Sequence, residues 1–138
     1  MDQYKEKLKE IDLGFFHEFP MHCTKIEPGH QLEGYMDIDG RSLNVYGVAH
    51  GGVGFTFGDN LSGSLAYLDR PGVTVNAQVD YLYGILPGRI YGKASYLKKG
   101  KTLSTIAVHV SQNGQLCLHG TYTIKHLERP VIKEEEGQ

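Results

Sequence analysis

Asn44-Val45-Tyr46-Gly47-Val48-Ala49-His50-Gly51-Gly52, continued by Val53-Gly54-Phe55-Thr56-Phe57-Gly58-Asp59, organises everything around it. Apolar residues at Val53, Phe57, Leu61, Leu65 and Leu68 fall at helical spacing, so the stretch reads as one helix entered through the glycine pair. Gly51 and Gly52 then present free backbone N–H groups at the positive end of that helix. Such an end suits a developing negative charge, for instance the oxygen of a carbonyl under attack. Asp59 lies nine residues beyond His50, which in a helix is about 900° of rotation and roughly 13 Å of rise. One helix cannot bring its own Asp59 to its own Gly51 N–H. A site using both groups needs a second copy of the helix, and this predicts a site shared across a dimer interface.

The rest of the chain supports a small mixed fold. With 138 residues there is room for one core and not for two, so residues 1–138 are expected to form a single domain, with about 128–138 a frayed acidic tail. A net charge of −2 without a basic stripe excludes the electrostatic footprint of a nucleic-acid binder. The start, MDQYKEKLKEIDLGFF, lacks the apolar run of a signal peptide, and no window reaches membrane-spanning length. Cys23 and Cys117 read as reduced thiols, so the expected location is cytoplasmic.

Residues 2–11 read as a short leading helix through Tyr4, Leu8 and Ile11. Met21 to Glu27 and Gln31 to Ile38 read as a hairpin about Pro28-Gly29, and Arg41 to Ala49 as a loop. Asp69-Arg70-Pro71-Gly72 ends the central helix. Val73 to Tyr83 alternates, with Val73, Val75, Ala77, Val79, Tyr81 and Tyr83 expected on one face and Thr74 on the other. Arg89 to Leu97, Thr102 to Ser111 and Gln115 to Lys125 complete four strands, the last two joined at Asn113-Gly114. This order is α+β: one long central helix against a curved antiparallel sheet, with a short N-terminal helix. Gly54, Gly58 and Gly63 inside the helix cost about 1 kcal/mol each, and close approach of another backbone is expected to offset that.

The Asn44-to-Gly52 run, Asp59 after it, and Gly72-Val73-Thr74-Val75 opening the next strand together resemble the hotdog-fold acyl-CoA thioesterases, and within them the PaaI-type, phenylacetic-acid-pathway branch. The likeness covers about residues 20–127. It implies the hotdog fold and hydrolysis of an acyl-CoA thioester to free acid and coenzyme A. It also implies a homodimer whose sheets join into one, commonly paired again as a homotetramer. Gly51 matches the residue whose N–H polarises the thioester carbonyl. Asp59 matches the carboxylate, contributed by the partner subunit, that acts as general base on water or as nucleophile. Thr74 matches a hydroxyl position that places the water or the carboxylate. Asn44 and His50 match residues that bind the surroundings of the nucleophile or the thioester.

Each of these residues also has a plainer structural reading. Asp59 could sit on the outer helix face or bond Asn60 or Ser62, although an unpaired buried carboxylate is costly and favours catalysis. His50 reads as a positioning residue rather than a proton carrier. Gly51 and Gly52 could be a tight helix entry, Asn44 a turn cap and Thr74 a good strand former. Lys98, Lys99 and Lys101 about Gly100 are either a solvated hairpin tip or, with Gly52, part of a substrate-binding surface that cradles coenzyme A phosphates. Tyr35, Tyr46, Phe55, Tyr81 and Tyr83 are assigned to the core, an acyl pocket being the alternative. His17, His22, His30, His109, His119 and His126 show no metal-ligand spacing, His109 and His119 falling on separate strands, so no metal site is expected. No redox cofactor is implied.

The reading is a cytoplasmic acyl-CoA thioesterase with no nucleic-acid or membrane partner. A non-catalytic acyl-CoA binding or sensing module on the same fold is the alternative, opposed by Asp59, since binding alone needs no carboxylate beside the carbonyl. A hydratase or dehydratase ranks third.

Overall fold

The computed structural model describes residues 2–11 and 14–128, so the acidic tail beyond Glu128 lies outside the described residues. Helix α1 (Asp2–Leu8) sets Leu8 into the core, and a 3-10 turn (Gly14–Glu18) leads to strands β1 (His22–Glu27) and β2 (Gln31–Ile38). A second 3-10 turn (Gly40–Ser42), capped by Asp39, precedes helix α2 (Gly51–Tyr67). Strands β3 (Gly72–Tyr81), β4 (Gly88–Lys99), β5 (Leu103–Gln112) and β6 (Gln115–His126) follow. The expected α+β architecture is present: six antiparallel strands in the order β1-β2-β4-β5-β6-β3 form one sheet, with α2 on one face. No helix among the described residues is long and apolar enough to cross a membrane.

The helical periodicity is realised in the core. Val53, Phe57, Leu61 and Leu65 are buried against Leu32, Met36, Ile90, Ile106, Val108, Leu118, Tyr122 and Ile124 from the inner faces of β2, β4, β5 and β6. Complete burial of side chains such as Phe57, Leu61 and Leu65 contributes about 1.5–3 kcal/mol each. Leu68, at the C-cap, is only half-buried. The turn between β5 and β6 has Asn113 at φ 51° and Gly114 at φ 78°, the left-handed pair that matches the twist of a two-residue hairpin.

Sheet and helix meet closely at two of the three helix glycines. A Cβ on Gly54 would lie 3.1 Å from Leu118 Cδ1, and one on Gly58 would lie 2.9 Å from Tyr122 Cζ. Sheet side chains make this approach, not the second backbone expected from the sequence. Tyr122 uses it to donate its hydroxyl to the Phe55 carbonyl at 2.7 Å. Gly63 departs from the expectation: among the described residues, and apart from its own turn of helix, nothing comes within 4 Å of where its Cβ would be.

Strand β3 corrects the expected alternation. Thr74 pairs with Ile124 and Asn76 with Thr123, leaving Val75 as an extra residue. Such a bulge shifts side-chain parity by one position. Thr74 therefore shares the helix-facing side with Ala77, Val79 and Tyr81, while Val75 is exposed. The aromatic assignments divide as well. Phe55 packs on the core, and half-buried Tyr35 lies between His22 and Arg89. Tyr46, Tyr81 and Tyr83 are exposed on this chain and are not core. Cys23 on β1 and Cys117 on β6 are not joined by a disulfide.

Candidate active site

The entry to α2 is held from three sides. Ala49 N–H donates to the Ile85 carbonyl at 2.8 Å and His50 N–H to the Ser42 carbonyl at 2.8 Å. The His50 carbonyl accepts the Val53 N–H at 2.9 Å, closing the first turn. His50 is the N-cap residue, with an exposed imidazole that makes no capping bond. Gly51 and Gly52 follow, and their N–H groups meet no acceptor among the described residues, as the first amides of a helix must unless something caps them. Behind Gly51, Tyr81 donates its hydroxyl to the Gly51 carbonyl at 2.9 Å.

A cavity of about 230 Å³ opens at this helix end, lined by Val48, Ala49, His50, Gly51, Gly54, Tyr81, Leu82, Tyr83, Gly84 and Ile85. A larger one of about 330 Å³ lies between the Glu18–Pro20 segment and β2. The larger cavity is lined by Asp37, which Arg89 pairs at 2.8 Å, and Asp39, which Arg41 pairs at 3.2 Å. With those charges already paired, the smaller cavity is the better candidate for chemistry.

Asp59 sits two turns further along α2, half-buried, on the side that meets β3. Thr74 donates its hydroxyl to Asp59 Oδ1 at 2.8 Å, and Oδ2 has no hydrogen bond among the described residues. The structural alternatives through Asn60 or the Ser62 hydroxyl to this carboxylate are not used: Asn60 accepts from Ser64 at 2.9 Å, and Ser62 donates to the Gly58 and Asp59 carbonyls. Burial pushes the Asp59 carboxyl above the usual carboxylate range, and the Thr74 hydrogen bond pulls against it. No cation among the described residues pairs with it. A half-buried carboxylate with a free oxygen and a raised pKa can take a proton from water or attack an electrophile.

Within one chain the structure brings Asp59 and Thr74 together, and separately His50, Gly51 and Gly52. It does not bring the two groups together: Asp59 lies eight positions along α2 from Gly51, roughly 12 Å of rise. Asn44 sits in the loop before His50, its side-chain oxygen accepting from the N–H groups of Tyr46 at 2.9 Å and Val48 at 3.2 Å. That carbonyl is committed to shaping the loop.

The lysine segment lies at the other end of α2. Lys98 and Lys99 belong to β4 and not to the turn, so the turn itself begins at Gly100. Gly100 N–H is already bonded to Ser104 Oγ at 3.2 Å, and Lys99 Nζ lies 3.4 Å from Asp69 Oδ1. Sequence reading assigns Tyr81 to the core, with an acyl pocket as the alternative; it lines the cavity at the helix start, and its bond to Gly51 is what sequence reading misses. An aromatic at a strand end looks like core, and only the adjoining run Leu82-Tyr83-Gly84, which does not continue a core alternation, hints otherwise.

His109 and His119 stand on separate strands as expected, but β5 and β6 are neighbours and pair these two residues directly, with ring centroids 6.3 Å apart. His119 Nε2 lies 3.6 Å from Asp80 Oδ2. Among the described residues, no three His, Cys, Asp or Glu side chains are arranged to hold a metal ion.

Comparisons with known proteins agree with this architecture. No curated protein matches the chain in sequence. A hypothetical thioesterase protein of Streptococcus pneumoniae, solved with coenzyme A, superposes with a TM-score of 0.81 at 25% identity, over 89% of this chain and 98% of that one. A Streptococcus mutans protein bound to acetyl CoA superposes with a TM-score of 0.75 at 26% identity, over 80% and 90%. A mutant of phenylacetic acid degradation protein PaaI from Thermus thermophilus shares the fold, with a TM-score of 0.77 at 22% identity over 82% and 98%. The sequence model of the Thioesterase superfamily matches residues 46–118, a span that includes the glycine pair, Asp59 and Thr74. The chain, hotdog in fold, belongs to the Thioesterase superfamily.

Proposed function

We propose that this protein is an acyl-CoA thioesterase of the PaaI-type branch that hydrolyses a thioester to a carboxylic acid and coenzyme A. The observation that carries this reading is Asp59: a half-buried carboxylate without a cation, its pKa raised by burial, its orientation set by Thr74. A binding module gains nothing from holding a charge in that state. The two solved relatives that carry coenzyme A or acetyl CoA support the substrate class.

In the proposed step the thioester oxygen lies at the start of α2, where Gly51 N–H and the helix dipole meet the charge that develops on it. Asp59 takes a proton from water as the water adds to the thioester carbon. The tetrahedral intermediate then collapses, and the coenzyme A thiolate leaves and takes up a proton. Direct attack by Asp59 would give a mixed anhydride that water cleaves to the same products. Because roughly 12 Å of helix rise separates Gly51 from Asp59, the reading uses Asp59 of one protomer with Gly51 of its partner. β3 is an edge strand with Val73, Val75 and Tyr81 exposed, a surface suited to joining two sheets. His50 and Asn44 shape the entry, and a pair of such dimers makes the tetramer common to similar proteins.

Thiol release from a panel of acyl-CoA esters, aromatic to long-chain, tests the reading when wild type and Asp59→Asn are run in parallel. We expect the substitution to cost about a hundredfold or more in kcat/KM. No release from any ester by a folded protein that binds acyl-CoA would make this a binding module. The shared site has its own test. Mixed dimers of Asp59→Ala and Gly51→Pro chains should regain activity that neither parent has, and mixed dimers without rescue would remove the cross-subunit arrangement.

A further inference from the structure

We propose that Tyr81 is a positioning residue for the oxyanion site. It would hold and polarise the Gly51–Gly52 peptide so that Gly52 N–H joins Gly51 N–H as a donor to the developing oxyanion. The inference rests on the thioesterase reading for its functional meaning, but the geometry stands on this chain alone.

Tyr81 O–H donates to the Gly51 carbonyl oxygen at 2.9 Å. That carbonyl and the Gly52 N–H are the two ends of one planar, conjugated peptide unit. Withdrawing charge at the oxygen makes the amide proton at the other end a stronger donor, an effect of about 10–30% per bond in hydrogen-bonded chains. A carbonyl in the first turn of a helix already has the N–H four residues on, here Phe55, as its ladder partner. The phenol is therefore not needed to satisfy this carbonyl, and its presence calls for another explanation.

The ring contributes a second restraint. A Cβ on residue 51 would lie 3.2 Å from Tyr81 Cζ, so the ring packs against the backbone of Gly51 itself. Glycine has the greatest backbone freedom of any residue, and a wall behind it removes freedom that a preorganised donor cannot afford. Burial raises the phenol pKa above its ordinary value, so the hydroxyl stays protonated and remains a donor at any physiological pH. The strand end that carries it is fixed in turn, since Leu82 and Tyr83 both donate their N–H groups to the Cys117 carbonyl, at 2.7 and 3.2 Å. Seven residues earlier, on the same strand face, Thr74 holds Asp59. One strand thus sets both chemical groups that its chain offers.

Tyr81→Phe removes the hydroxyl and keeps the ring. We expect kcat for thiol release to fall about tenfold, short of the hundredfold or more that deleting an oxyanion donor outright costs, with KM changed less than about twofold. In ¹⁵N-glycine-labelled protein the Gly52 amide proton should move upfield while that of Gly63, on the far part of α2, stays in place. An unmoved Gly52 amide, or a wild-type kcat in the variant, would overturn the proposal. The amide shift can be read even if no ester is ever turned over, so failure of the thioesterase reading and failure of this inference are separate results.

Discussion

The two ends of α2 carry opposite kinds of chemistry. At the C-terminal end Asp69, Arg70 and Lys99 are engaged with one another and with backbone carbonyls. Arg70 donates to the carbonyls of Gly100 at 2.7 Å and Lys101 at 2.8 Å, and Lys99 and Arg70 each lie 3.4 Å from an Asp69 oxygen. Ser104 Oγ bonds His126 Nε2 at 2.6 Å, and the Leu127 N–H closes onto the Pro71 carbonyl. At the N-terminal end the groups are fewer and uncharged, yet two backbone amides and an exposed imidazole are left open beside a cavity. Density of charge marks the end that the fold uses to tie β4, β5 and β6 to the helix. Uncommitted donors mark the end available to a ligand.

The sharpest way to break that comparison is at Asp59, between the two ends. Asp59→Asn should cost about a hundredfold or more in activity and, at neutral pH, raise the melting temperature. The sign follows from the raised pKa. Below the unfolded value of 3.8 the carboxyl is neutral in both states and burial costs nothing extra. As pH rises through the higher folded value, the unfolded chain gives up its proton more readily, so the folded state loses stability and keeps that deficit at pH 7. Asparagine has no charge to bury. A variant that lost activity and also lost stability would make Asp59 a structural residue.

Arg70→Ala is the counterpart at the other end. Losing two charge-assisted hydrogen bonds from a partly exposed guanidinium should cost about 1–2 kcal/mol in urea unfolding. Its kcat should stay within about twofold of wild type. A large fall in thiol release with stability intact would mean that this end enters a site, and the division between the two ends would not hold.

What the sequence disclosed follows the same division. Periodicity located α2 and the strands because Phe57, Leu61 and Leu65 must face the sheet wherever it lies. The bulge at Val75 has no such cue, so simple alternation put Thr74 on the wrong face, and only the resemblance pointed to the position that meets Asp59. At the lysine run the sequence displays charges and hides contacts: Lys99 faces Asp69, thirty residues away, and the Arg70 guanidinium holds the carbonyls of Gly100 and Lys101. Tyr81 was hidden for the opposite reason: its partner is a backbone carbonyl, which every residue has.

Gly63 gives the smallest effect and bears on the middle of the helix. Among the described residues its Cβ position is open, unlike that of Gly58, where Tyr122 presses on the backbone. Alanine is favoured over glycine in a helix interior by about 1 kcal/mol, so in an isolated chain Gly63→Ala should stabilise by up to that amount. Gly63 lies one turn beyond Asp59 on the same side of α2, the side that a shared site would turn toward a second protomer. If a partner's backbone closes on that side, the added methyl group has nowhere to go and the gain reverses. Unfolding midpoints across a range of protein concentrations distinguish the cases. A concentration-independent gain would place the dimer contact away from this face. A loss that deepens as the dimer forms would explain why a glycine stands there at all.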